Sequence, residues 1–134
     1  MASDLETFPV RSGEDVVKAR QIVRSRAMDA GFSLVEQTKI VTAASELARN
    51  TVIYGGGGEM RIERLHQGPR RTGLRLTFED KGPGIPDIEL ALRDGYTSGN
   101  GLGLGLNGAR KLSHEFDIWS KLGQGTRVTI TRWK

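Results

Sequence analysis

The sequence predicts an α+β fold: a mixed, mostly antiparallel sheet with its helices packed on one face. Three observations lead there. Two apolar stripes at helix spacing fill the first half of the chain, the apolar period then drops to two, and a glycine-rich stretch separates that region from a last helix and two strands. With 134 residues the chain is the size of one domain with a single core. No repeat or linker divides it, so residues 1–134 read as one unit.

The elements follow in order. Phe8 to Val10 suits a short strand. From Glu14 to Ala30, Val16, Ala19, Val23, Ala27 and Ala30 recur at three- and four-residue spacing, which marks a helix that Gly31 ends. Ser33 opens a second helix, with Glu36 three residues on completing a capping box. Ile40, Ala44, Leu47 and Thr51 form its buried face, and the glycines from Gly55 stop it. Met60 and Ile62, then Leu74, Leu76 and Phe78, alternate with polar residues as two strands joined through His66 to Gly73. Pro86 to Arg93 reads as a short helix, and Leu106 to Phe116 as a longer one. Ile118 to Leu122 and Thr126 to Trp133 close the chain as strands around a Gly123-Gln124-Gly125 turn.

Composition narrows the function. Hydrophobic residues make up 37% and charged residues 27%, the profile of a globular protein. There is no cysteine, hence no disulfide and no thiolate metal site. No apolar run reaches membrane-spanning length, and Met1 to Glu6 lacks an apolar signal core, so the expected location is the cytoplasm. The formal charge of +4 raises the question of nucleic acid. Acidic and basic residues are interleaved, however, and 6% aromatics is too few for base stacking, so no nucleic-acid partner is expected.

Glycine is the anomaly. There are 18, about twice ordinary usage, and most fall in four clusters: 55–58, 82–84, 95–108 and 123–125. Clustered glycine brings backbone close to a ligand. Turns and helix caps account well for the 55–58 and 123–125 clusters and poorly for 95–108.

Four segments carry chemistry. Glu46 and Asn50 leave the same face of the second helix, one turn apart. A carboxylate accepts a proton from a nucleophile, and an amide oxygen is a hard ligand suited to magnesium. Alone, the pair reads better as a solvated helix face. Asp80-Lys81-Gly82-Pro83-Gly84 follows a strand directly. Its aspartate suits an exocyclic amine on a flat ring whose approach the glycines leave open, and the string is equally a good turn. Gly101, Gly103 and Gly105 precede a helix, where bare N–H groups hold phosphate. Gly103, Gly105 and Gly108 also match a dinucleotide fingerprint, but a polar loop from Asp94 to Asn100 stands where that motif needs a strand. Gly125-Thr126 is unremarkable alone.

In order, these strings resemble the N, G1, G2 and terminal boxes of the gyrase, heat-shock chaperone, histidine-kinase and MutL superfamily, whose members share the Bergerat ATP-binding fold. Ser45-Glu46-Leu47-Ala48-Arg49-Asn50 and Glu79 to Ile88 resemble the RsbT-type serine/threonine kinases of bacterial partner-switching and stressosome modules. The resemblance implies ATP and Mg2+ as cofactors. It implies Glu46 as general base, Asn50 as magnesium ligand and Asp80 as acceptor from the adenine amine. Gly82 and Gly84 would floor the base pocket, Gly101, Gly103 and Gly105 form a phosphate lid, and Thr126 and Tyr54 lie near the base. His114-Glu115 looks like a phospho-accepting motif but follows the lid, in the wrong order for a sensor kinase.

Two functions stand at this point. One is a kinase that phosphorylates a small antagonist with a sulfate-transporter-and-anti-sigma-antagonist (STAS) domain, and on release activates a phosphatase or other output protein. The other is an ATP-dependent binding switch that sequesters a partner without catalysis.

Overall fold

A computed structural model of the chain describes residues 5–92 and 104–134. Strand β1 (Leu5–Val10) leads into two long helices, α1 (Gly13–Asp29) and α2 (Leu34–Ile53). Strands β2 (Gly58–Gln67) and β3 (Arg71–Asp80) form a hairpin, followed by α3 (Ile88–Ala91) and α4 (Leu104–Lys111). Strands β4 (Glu115–Lys121) and β5 (Gly125–Trp133) end the chain.

Local chemistry sets the helix ends. The Ser12 hydroxyl accepts from Asp15 N–H and starts α1. At the start of α2 the Ser33 hydroxyl accepts from Glu36 N–H at 3.2 Å while the Glu36 carboxylate accepts from Ser33 N–H at 3.1 Å, the expected capping box. Gly31, at φ +85°, turns the chain between the two helices. Arg26 donates from both Nε and Nη2 to Glu6, tying α1 to β1.

The sheet has five strands in the order β1-β2-β3-β5-β4. Each pairing is antiparallel, so the sheet is simpler than the mixed one anticipated. The connection after β3 enters the edge position first, as β4, and the tight β4–β5 turn then brings β5 back against β3. On one face Met60, Ile62, Leu74, Leu76, Phe78, Val128 and Ile130 are buried beneath Val23 and Ala27 of α1, Ile40, Ala44 and Leu47 of α2, and Leu106 and Ala109 of α4. The other face is a lattice of ion pairs in which Arg61 meets Glu59 and Glu79, and Arg75 meets Glu63 and Glu115.

Several boundaries differ from the sequence reading, among them α3, which starts at Ile88 rather than Pro86. β1 starts at Leu5, because its pairing with β2 extends to Leu5 opposite Glu63. The β2–β3 strands run on past His66, leaving the turn to Gly68, Pro69 and Arg70. The helix expected to reach Phe116 ends at Lys111. There Arg132 donates to the Leu112 carbonyl at 2.8 Å, and the His114 N–H pairs with the Thr131 carbonyl. Phe116 lies in β4 opposite Ile130. Leu112 and Phe116, four apart, fit a helix, but Phe116 and Ile118 fit a strand as well, and pairing with β5 decides between them.

Among the described residues no helix is long and apolar enough to cross a membrane.

Candidate functional site

Three of the four glycine clusters, 55–58, 82–84 and 123–125, meet at one end of the sheet. β3 ends on Asp80, directly opposite Thr126 at the start of β5. Beside them α2 ends at Tyr54, and together they border a cleft that is partly open to solvent. Its apolar walls are Leu47, Phe78, Ile85, Leu106 and Val128; its polar groups include Asn50, Thr51, Tyr54, Asp80 and Thr126. An apolar slot with a few convergent polar groups is the ordinary form of a small-molecule site.

Asp80 is the most constrained of these groups. Burial pushes its carboxyl above the usual range. Backbone N–H groups of Gly82 and Thr126 donate to the carboxylate and oppose that shift, and the neighbouring Glu79 charge adds to it. The Gly82 bond measures 2.9 Å to Oδ1. Behind the carboxylate lies Gly55, where an added Cβ would stand 2.5 Å from Asp80 Oδ2. Gly82 in turn packs on Gly55, with a Cβ at 82 falling 2.7 Å from Gly55 Cα. Gly84 lines the cleft, sits at φ +81°, and packs on the Lys121 carbonyl. The loop after β3 therefore lies flat against both α2 and the β4–β5 hairpin, leaving the slot beside Asp80 clear.

Asn50 faces this cleft from the last turns of α2, with its Nδ2 buried and unpartnered among the described residues. A buried amide without a partner is uncommon and fits a polar ligand in the cleft. Tyr54 caps α2 through its N–H to the Asn50 carbonyl at 2.9 Å and also borders the cleft. Among the described residues no group of three or more His, Cys, Asp or Glu side chains is placed to hold a metal.

Glu46 stands apart. It lies one turn up α2 from Asn50 and borders a separate groove between α1 and α2, with Arg20, Arg24, Thr38, Thr42 and Ser45. Its carboxylate is 3.9 Å from Arg49, and the side chain is 35% exposed, so it remains open to an incoming group. The structure thus gathers Asn50, Tyr54, Asp80, Gly84 and Thr126 on one cleft, puts Gly82 behind Asp80, and sets Glu46 next to the cleft. Gly101 and Gly103 lie outside the described residues, and Gly105 falls in the first turn of α4.

Reading the 55–58 and 123–125 clusters as turns overlooked part of the site. Gly58 and Gly125 each pack so tightly on the β3 backbone, at the Glu79 and Asp80 carbonyls, that a Cβ would collide. The signal was available in sequence: Gly55 directly follows the turn that carries Asn50 and Tyr54.

Comparison with known proteins matches this arrangement. Residues 35–134 match the family described as histidine kinase-, DNA gyrase B-, and HSP90-like ATPase. The chain belongs to that family. It is 44% identical over 119 residues to the serine/threonine-protein kinase RsbT of Bacillus subtilis (strain 168), spanning 89% of each chain. It is 29% identical over 103 residues to an anti-sigma F factor of Clostridium kluyveri, covering 75% of this chain and 72% of that one. Among solved structures, the RsbU and RsbW domains of Rv1364c from Mycobacterium tuberculosis superpose with a TM-score of 0.62 at 19% identity. That match covers 98% of this chain and 32% of the other, and it bears on fold alone. The fold is therefore the Bergerat ATP-binding fold, and the chain is an ATP-dependent serine/threonine kinase of the RsbT type.

Proposed function

We propose that residues 1–134 form a single kinase domain that transfers the γ-phosphoryl of ATP to a serine or threonine of a small STAS-type antagonist. The reading places the protein in the cytoplasm, in a partner-switching or stressosome module. Once released from the antagonist, the kinase activates a phosphatase or another output protein.

One observation carries the assignment. Asp80 and Asn50 face a common cleft, and Glu46 stands one helical turn beyond Asn50, outside the slot. Asp80 accepts from the exocyclic amine of adenine, with Thr126 and Tyr54 beside the base and Gly84 under it. Gly82 holds the Asp80 carboxylate through its N–H. Gly101, Gly103 and Gly105 are assigned to the phosphates.

Asn50, through its amide oxygen, would be the protein ligand for Mg2+, and a cation held there would take its other ligands from phosphates and water, the usual habit of magnesium. When bound, the ion neutralises charge on the phosphates. Glu46 takes the proton of the acceptor hydroxyl as that oxygen bonds to the γ-phosphorus, the bond from that phosphorus to the bridging oxygen breaks, and ADP leaves with the electron pair. A base outside the nucleotide slot suits this step, because the hydroxyl comes from another protein.

A second reading has its own support in the similarity to anti-sigma F factors. On that reading ATP organises a surface that sequesters a partner, and transfer is secondary. Affinity capture from native cytoplasm with and without ATP, followed by phosphosite mapping on the retained proteins, separates the two. A serine or threonine phosphorylated only with ATP supports the kinase. Capture with no phosphosite supports the switch.

A further inference from the structure

The polarity of the cleft beside Asp80 depends on a residue outside the four boxes. Ser120 lies on the edge strand β4, opposite Thr126 in register. Its half-buried hydroxyl meets three groups. The Ile85 N–H donates to it at 2.7 Å, the Gly125 carbonyl lies 3.1 Å away, and the Thr126 hydroxyl lies 2.8 Å away. A serine hydroxyl has one proton and two lone pairs, and a carbonyl can only accept. One arrangement satisfies all three contacts: Ser120 donates to Gly125 and accepts from both Ile85 N–H and Thr126 O–H.

In that arrangement the Thr126 proton is spent behind the cleft. Thr126 then offers the cleft lone pairs only, and the neighbouring Asp80 carboxylate, when ionised, also only accepts. We propose that Ser120 is a positioning residue for nucleotide specificity: by holding the Thr126 proton, it keeps donors away from the base edge, so that a purine with an exocyclic amine there is selected over one with a carbonyl. This rests on the nucleotide reading above.

Ser120 also joins the loop after β3 to the β4–β5 hairpin, a junction shared with the Gly123 N–H, which donates to the Pro83 carbonyl at 2.9 Å. Its two roles separate experimentally. Loosening the loop weakens every nucleotide alike, whereas a freed Thr126 proton, able to turn toward a carbonyl, changes only the ratio between nucleotides.

The test is calorimetric titration of the full chain with ATP and with GTP, for the wild type, Ser120→Ala, Ser120→Thr and Ser120→Cys. Ser120→Ala is expected to lower the preference for ATP over GTP by roughly five- to tenfold, the worth of about one hydrogen bond. Ser120→Thr, which keeps the hydroxyl, is expected to restore the preference. Ser120→Cys, a weak acceptor that still fills the site, should behave like alanine and serves if Ser120→Ala does not fold. In a Thr126→Val background Ser120→Ala should no longer move the ratio. A wild-type ratio in both Ser120→Ala and Ser120→Cys overturns the inference and leaves the nucleotide reading intact. A wild type that binds neither nucleotide overturns both.

Discussion

Replacing Gly55 with alanine is the sharpest structural test of the cleft, because it adds one methyl group behind the residue assigned to the base. The new Cβ would stand 2.5 Å from both Cβ and Oδ2 of Asp80. Close-packed carbon and oxygen atoms sit roughly 3.5–4 Å apart, so the carboxylate must retreat by about an ångström. A shift of that size breaks the 2.9 Å bond from Gly82 N–H. It also displaces the acceptor from any amine in the slot. A hydrogen bond to a charged group is worth about 1.5–3 kcal/mol, so ATP affinity should fall by roughly ten- to a hundredfold or more. Overpacking should cost about 1–3 kcal/mol of stability. Gly56→Ala is the matched control. Nothing lies within 4 Å of its added Cβ, and its φ of +73° brings only backbone strain. That strain is worth roughly 1–2 kcal/mol and should leave affinity unchanged. Calorimetric titration beside thermal melts reads both quantities. Wild-type ATP affinity in Gly55→Ala would refute the placement of Asp80 against the ligand.

Asp80→Asn should lower ATP affinity by roughly ten- to a hundredfold without unfolding the domain, and wild-type protein should prefer ATP to GTP, both read by titration. Burial raises the Asp80 pKa, so the folded state holds this proton more tightly than the unfolded chain. That contribution is full below the unfolded value and is lost as pH rises through the folded one. The ligand-free Asp80→Asn protein should therefore gain thermal stability relative to wild type as pH rises from the acid range to neutral. Equal melting differences at both pH values would count against a desolvated carboxylate. Asn50→Ala should abolish the magnesium-dependent part of ATP binding and spare weak metal-free binding, which titrations with and without magnesium compare. Ser33→Ala removes half of the α2 capping box and should cost about 1 kcal/mol in denaturant melts, with ATP affinity unchanged.

The helices and strands were readable because their signals are local. Ser33 and Glu36 announce the start of α2, and the alternation from Leu74 to Phe78 announces β3, whatever packs against them. Phe116 was not, because spacing suits it both to α4 and to β4 and only pairing with β5 decides. The same limit applied at the cleft. Helix geometry puts Glu46 and Asn50 on one stripe, but where the slot ends along that stripe depends on α1, which borders the groove holding Glu46. Gly55 and Gly125 read as punctuation because their reason for being glycine lies across space, against Asp80. Ser120 carried no motif at all. Its role comes from the register that sets it opposite Thr126.

Radiolabel transfer from γ-labelled ATP to the captured partner is the direct test of phosphoryl transfer at this cleft with Glu46 as base. Glu46→Gln keeps the shape of the side chain and removes its charge. Near-normal ATP affinity and partner capture are expected, with transfer lowered by roughly a hundredfold or more and the label on serine or threonine. Transfer by Glu46→Gln at the wild-type rate would remove Glu46 from the mechanism, and a wild type that labels no retained protein would contradict the kinase itself.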